Sequence, residues 1–172
     1  MIVNETQRAF MDYVVWKHQG QFRDNGTPFI VHPVRVTLML SNFGFSIEHQ
    51  LAGMGHDLLE DTKATYDEIE ALVGDDVAQA ILLLTKDRDS YPVYFRKISE
   101  NDLAKPVKIA DRIDNLLDMT GPVWTRDKQV MYLRKSVKHI YPMCDESIGA
   151  LGEEFVRVLK MISNDIGCKI DL

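Results

Sequence analysis

SIEHQLAGMGHDLLED, residues 46–61, is the stretch whose reading decides the fold. Ser46 is a residue type that caps helices. At about 100° per residue, His56, Asp57, Glu60 and Asp61 fall within an arc of roughly 140°, with Leu51, Met54, Leu58 and Leu59 on the opposite side. One amphipathic helix is therefore expected from Ser46 to about Asp61, apolar side inward. An ordinary helix with a solvated acidic face would show the same pattern, so this segment fixes a helix and leaves its purpose open.

Outward from this segment the periodicity is helical almost throughout, with apolar residues at spacings of three and four and no alternating strand pattern. Residues 4–19 read as a first helix carrying Phe10, Tyr13, Val14 and Val15. Gly20, Gly26 and Pro28 mark a loop, and Pro33 suits the first turn of a second helix ending near Gly44. Thr65-Tyr66-Asp67-Glu68 has the form of a capping box, predicting a short helix to Gly74, and another should cover 75–85. A charged loop is expected over 86–92. Helices should follow over 93–100, 105–119, 127–141 and 145–166, separated at Pro106, Gly121-Pro122 and Pro142. The expected fold class is all-α, a compact orthogonal helical bundle.

The 172 residues, 45% of them hydrophobic, suffice for one core and fall short of two ordinary domains, so a single domain over 1–172 is expected. No apolar run approaches the roughly 20 residues a membrane helix needs, and the N-terminus lacks the pattern of a secretory signal. The expectation is a cytoplasmic protein with no membrane partner. Cys144 and Cys168 have neither metal-ligand spacing nor the density of a disulfide framework. A net charge of −6 disfavours nucleic acid as a partner, and an anionic substrate would have to be met by local cations or metal.

Two further segments carry chemistry-bearing side chains. In Lys108-Ile109-Ala110-Asp111-Arg112-Ile113-Asp114-Asn115, an apolar face of Ile109, Ile113 and Leu116 opposes a face with Asp111 and Asn115 one turn apart. In Arg23-Asp24-Asn25-Gly26-Thr27-Pro28-Phe29-Ile30-Val31-His32-Pro33, a basic residue and a turn precede a histidine at a helix entrance. A lone histidine before proline is usually a packing or capping residue. Together, however, the three segments supply two imidazoles and several carboxylates, a donor set suited to a borderline or hard divalent ion such as Mn²⁺.

The order His32, His56-Asp57 with Glu60-Asp61, then Ala110-Asp111-Arg112 with Asn115 resembles the HD-type hydrolase domain of the RelA/SpoT family, nearest its single-domain small alarmone hydrolases. The similarity runs through HQGQFRDNGTPFIVHP, GHDLLEDT, VGDDVAQAILLLTK and KPVKIADRIDNLLDM, over about residues 18–119. The resemblance implies a metal-dependent phosphohydrolase in which His32, His56, Asp57 and Asp111 ligate one Mn²⁺. Glu60 and Asp61 match the pair that handles the attacking water and the proton. Arg23 matches a residue packing on guanine, Asn115 one holding the ribose and phosphate end, and Lys128 and Tyr132 fall where single-domain members place further nucleotide contacts. The implied reaction removes the 3′-pyrophosphate of ppGpp or pppGpp, giving GDP or GTP and pyrophosphate. The nucleotide-synthesising domain of larger members is not expected here.

Three positions depart from that pattern. Asp24 stands where many members carry a cation, Asp114 where they carry histidine or an aromatic, and Gly55 where a large apolar residue precedes the His-Asp pair. These bear on substrate identity. The alternatives are an HD phosphohydrolase acting on NADPH or a deoxynucleotide, and a non-catalytic alarmone sensor.

Overall fold

The computed structural model describes residues 5–86, 90–120 and 122–172. Asn4, three residues of the charged loop expected over 86–92, and Gly121 of the expected Gly-Pro break lie outside them. Among the described residues the chain is helical, and the one extended pairing is an isolated antiparallel bridge between Phe22 and Pro28. The all-α reading holds.

α1 (Glu5–Lys17) buries Phe10 and Val14, one turn apart, and leaves Val15 half exposed because it points about 100° away from them. α2 (Val31–Asn42) and α3 (Ile47–Gly55) form a tightly packed pair. α5 (Tyr66–Val73) opens on the expected capping box: the Thr65 hydroxyl accepts from the Glu68 N–H while the Glu68 carboxylate accepts from the Thr65 N–H. Gly74, at φ +85°, is the left-handed joint to α6 (Asp75–Leu84). α7 (Tyr91–Ser99) follows.

α8 (Ala104–Leu117) is the axis of the fold, touching α2, α3, α6, α7 and two later helices, α9 (Arg126–His139) and α10 (Ala150–Asp165). It is buried almost all round, so its charges need internal partners. Lys105 reaches Asp145 at 3.0 Å, and Arg112 donates to the Ser136 hydroxyl at 3.1 Å while lying over the Tyr132 ring.

Two boundaries differ from expectation. The helix expected from Ser46 to Asp61 is interrupted at His56-Asp57, and only a single turn, α4 (Leu58–Asp61), continues beyond. The Gly53 carbonyl, which an unbroken helix would offer to the Asp57 N–H, accepts instead from the His56 imidazole at 2.7 Å. The last helix starts at Ala150 and not at 145. Pro142 sits in a 3₁₀ turn over Tyr141–Met143, Asp145 ties down the Ser147 N–H and hydroxyl, and Gly149 at φ +53° begins α10.

The break at His56 is accompanied by unusually close packing. A Cβ at Gly55 would lie 2.6 Å from Phe10 Cζ and 2.8 Å from Ile81 Cδ1. The space a large residue would need before the His-Asp pair is taken by Phe10 of α1. Gly55→Ala should therefore destabilise the protein by about 1–3 kcal/mol in urea denaturation, overpacking outweighing the gain in helix propensity. Paired with Phe10→Leu the loss should be less than additive. Additive effects would mean that Phe10 does not set the requirement for glycine.

Candidate functional site

The loop before α2 is folded by its own main chain: the Arg23 N–H donates to Thr27 O at 2.8 Å, the Phe29 N–H donates to Gln21 O at 3.0 Å, and Gly26 turns the corner at φ +84°. It delivers His32 into the first turn of α2, where Pro33 costs no hydrogen bond. His32 is only 1% exposed and His56 3%. Asp57 follows at the break after α3, and Asp111 comes from the middle of α8.

These four side chains meet. His32 Nε2 and His56 Nε2 are 3.1 Å apart. Asp57 Oδ2 lies 3.6 and 3.1 Å from the two nitrogens, and Asp111 Oδ1 lies 3.3 and 3.7 Å from them. The other ends of the two imidazoles are committed. His56 Nδ1–H donates to the Gly53 carbonyl, and His32 Nδ1–H donates to Asp114 Oδ2 at 2.6 Å. Each neutral imidazole therefore turns its Nε2 lone pair inward, so that two nitrogens and two carboxylate oxygens confront one another as acceptors.

Such a cluster could hold a cation between its members. Bonds of about 2.1 Å to one ion set neighbouring donors roughly 3.0–3.4 Å apart. The separations of 3.1–3.7 Å lie at and just beyond that range. The donor set and its spacing fit a divalent ion. The electrostatics point the same way. Burial opposes charge on His56 and on His32, but the neighbouring carboxylates outweigh it and raise both imidazole pKa values. Burial likewise opposes ionisation of Asp111, yet Lys108, whose Nζ donates to Oδ2 at 2.9 Å, and the imidazoles hold it well below the usual carboxylate range.

A pocket of about 230 Å³ adjoins the cluster, lined by Phe22, Arg23, Asp24, Phe29, Asn115 and Trp124 among others. Asn115 joins the two: its amide donates to Asp111 Oδ1, and its carbonyl oxygen accepts from Arg23 Nη2 at 2.8 Å. Arg23 Nε donates to Asp118 Oδ2 at 2.9 Å. Tyr132 stands behind the pocket, edge-on to Trp124, and Lys128 is exposed near the start of α9; neither lines it.

Glu60 and Asp61 lie on the single turn α4 and line an open groove with Trp16, Lys17, Gln21 and Lys63. They do not share one rigid helix with His56, because the chain breaks between them. Glu60 Oε2 accepts from the Lys86 N–H at 3.1 Å, and the Asp61 carbonyl accepts from Gln21 Nε2 at 2.8 Å. Partial burial, with the charges of Asp57 and Glu60, pushes the Asp61 carboxyl up to about 6.

Residues missed by the sequence reading support this arrangement. Arg35 grips Asp114 through Nε and Nη2, at 2.6 and 3.0 Å, and reaches Asp118 at 3.4 Å. Arg35 lies one helical turn beyond His32, and Asp114 one turn beyond Asp111, a spacing that could have flagged both. His18 stacks on Phe29, pairs Nδ1 with Gln21 Oε1 at 2.7 Å, and leaves its buried Nε2 without a hydrogen-bond partner among the described residues.

The sequence pattern of the HD domain matches residues 11–88, which hold His32, His56 and Asp57. Over that span the chain is similar to the HD domain. It is 30% identical over 155 residues to the guanosine-3′,5′-bis(diphosphate) 3′-pyrophosphohydrolase of Aquifex aeolicus, covering 84% of this chain and 22% of that protein. It is 33% identical over 120 residues to the Danio rerio protein of the same name, MESH1, covering 63% of this chain and 66% of that one. Thus the chain spans about a fifth of its bacterial relative and about two thirds of the fish one. A solved metazoan orthologue of SpoT, described as hydrolysing ppGpp, shares the fold with a TM-score of 0.80 over 98% of this chain and 99% of its own, at 23% identity. No helix among the described residues is long and apolar enough to cross a membrane.

Because the neighbouring carboxylates favour protonation of both imidazoles, in competition with an ion, ion binding should release protons and weaken as pH falls. Calorimetry in buffers of different ionisation enthalpy measures this, and elemental analysis should find about one divalent ion per chain. His56→Ala and Asp111→Ala should each lose the ion. A variant that keeps full affinity removes its residue from the site.

Proposed function

We propose that this HD domain hydrolyses the 3′-pyrophosphate of ppGpp and pppGpp with Mn²⁺ held by His32, His56, Asp57 and Asp111. The observation that carries the reading is Asn115, whose one amide touches both the acceptor cluster and the Arg23 pocket. A nucleotide seated on Arg23 would thereby present a ribose-linked phosphate beside the cluster. The names of the relatives point to the same substrate.

A divalent ion held by these four groups would supply a water of lowered pKa and offset the charge of the phosphates. In the reaction the bond between the ribose 3′ oxygen and its phosphorus breaks, the water oxygen stays on the pyrophosphate, and a proton reaches the 3′ oxygen. Glu60, oriented by the Lys86 N–H, accepts the proton of the attacking water. Asp61, which keeps its own proton up to about pH 6, suits orientation of the water and delivery of a proton to the leaving oxygen. Arg23 packs on guanine, freed from Asp118 and Asn115 or reaching out while still held by them. Asn115 holds the ribose and phosphate end, with Lys128 and Tyr132 approaching from α9 on nucleotide binding.

Incubation with ppGpp, pppGpp, NADPH and a deoxynucleotide panel, with Mn²⁺ or EDTA, tests the assignment. Pyrophosphate should appear from the first two only, and only with metal. Glu60→Gln should keep the ion and lose roughly 10²-fold in kcat. Unchanged turnover removes Glu60 as the base, and an equally slow wild type favours a sensor.

Asp24 gives a separate test because it places an anion on the rim of a pocket proposed to bind a polyanion. Asp24→Lys should lower KM for ppGpp by roughly 3–10-fold with little change in kcat, and the gain should shrink at high salt. A raised KM would make the aspartate part of recognition and point to a different nucleotide.

A further inference from the structure

Asp114 is 3% exposed. A carboxylate at such a place requires compensation. It has two partners. Oδ2 accepts from His32 Nδ1–H at 2.6 Å, and both oxygens accept from Arg35. Arg35 is 38% exposed at its side chain, so one face of the guanidinium stays in water while its fork enters the protein.

We propose that Asp114, clamped by Arg35, is the positioning residue that sets the tautomer and the ring orientation of His32. A neutral imidazole can carry its proton on either nitrogen, and only the Nδ1–H form offers its Nε2 lone pair to the cluster. Nothing at the cluster itself enforces that choice, because the groups facing His32 Nε2 are His56 Nε2, Asp57 and Asp111, all of which would accept a proton from it. The enforcing contact is on the far side of the ring. There a charged carboxylate makes Nδ1–H the favoured form, and the bidentate Arg35 keeps that carboxylate from rotating or leaving. His56 is fixed differently, by the main-chain Gly53 carbonyl. The two imidazoles are thus held by unlike means, and only the His32 side is open to control by side-chain substitution.

Arg35 also reaches Asp118, which holds Arg23. The same guanidinium therefore steadies the His32 side of the cluster and the pocket arginine, and its loss should register at both.

The proposal rests on the reading of His32 as a cation ligand, and the test separates the two. ¹⁵N NMR of the imidazoles in metal-free protein at alkaline pH reads the tautomer directly. In the wild type, His32 should be protonated at Nδ1. In Asp114→Asn the amide can donate to Nδ1, and His32 should shift toward the Nε2–H form while His56 stays unchanged. Mn²⁺ affinity, measured by calorimetry, should fall by roughly 10–100-fold. Arg35→Gln, at a half-exposed position that tolerates change, should give a smaller shift in the same direction and also raise KM for the nucleotide. Should Asp114→Asn fold poorly, Arg35→Gln alone decides. A wild-type tautomer and wild-type Mn²⁺ affinity in both variants overturn the proposal. A tautomer shift in a protein without Mn²⁺ affinity would uphold the positioning and reject the metal reading.

Discussion

Two imidazole nitrogens and two carboxylate oxygens that turn their lone pairs toward one point repel each other, and the scaffold has to hold them there. Their backs are therefore tied: His56 to the Gly53 carbonyl, His32 to Asp114, Asp111 to Lys108 and Asn115. Each tie has a structural cost elsewhere. The Gly53 carbonyl is withdrawn from the helical ladder and α3 ends at the His-Asp pair. Asp111, Lys108 and Asp114 occupy a helix that is otherwise the centre of the apolar core, so α8 needs a cation opposite every anion it buries. What looks like an acidic surface pattern in the sequence is in the folded protein a set of inward charges with assigned partners.

Much of this was legible from the chain. Apolar spacing located nearly every helix, since periodicity is set by burial and α8 and α10 bury long continuous faces. The capping box at Thr65 and the glycine joint at 74 were readable because they are local chemistry. The break at His56 was not, because it comes from a side-chain hydrogen bond competing with the backbone, and no periodicity encodes that competition. The late start of α10 was missed for a similar reason: Asp145 and Ser147 look helix-compatible in sequence but satisfy a turn.

At the candidate site the sequence pointed to His32, His56, Asp57 and Asp111, and the fold brings both carboxylates to within 3.7 Å of the two imidazoles. It also brings Arg23 and Asn115 together across 92 residues, a distance over which only resemblance could have paired them. Tyr132 and Lys128, implied by the resemblance alone, do not line the pocket, whereas their neighbour Trp124 does. Asp114 was singled out and Arg35 was not, and their pairing across 79 residues escaped because no spacing rule links positions on different helices.

The contact between the Glu60 carboxylate and the Lys86 N–H has an evolutionary consequence. Its donor is the main chain, which every residue except proline provides, so drift at position 86 leaves the proposed base in place. The Arg35–Asp114 clamp depends on two particular side chains and can be erased by a change at either. The domain thus combines a feature robust to mutation with one that a single substitution can retune, and descendants of this sequence should diversify through the second.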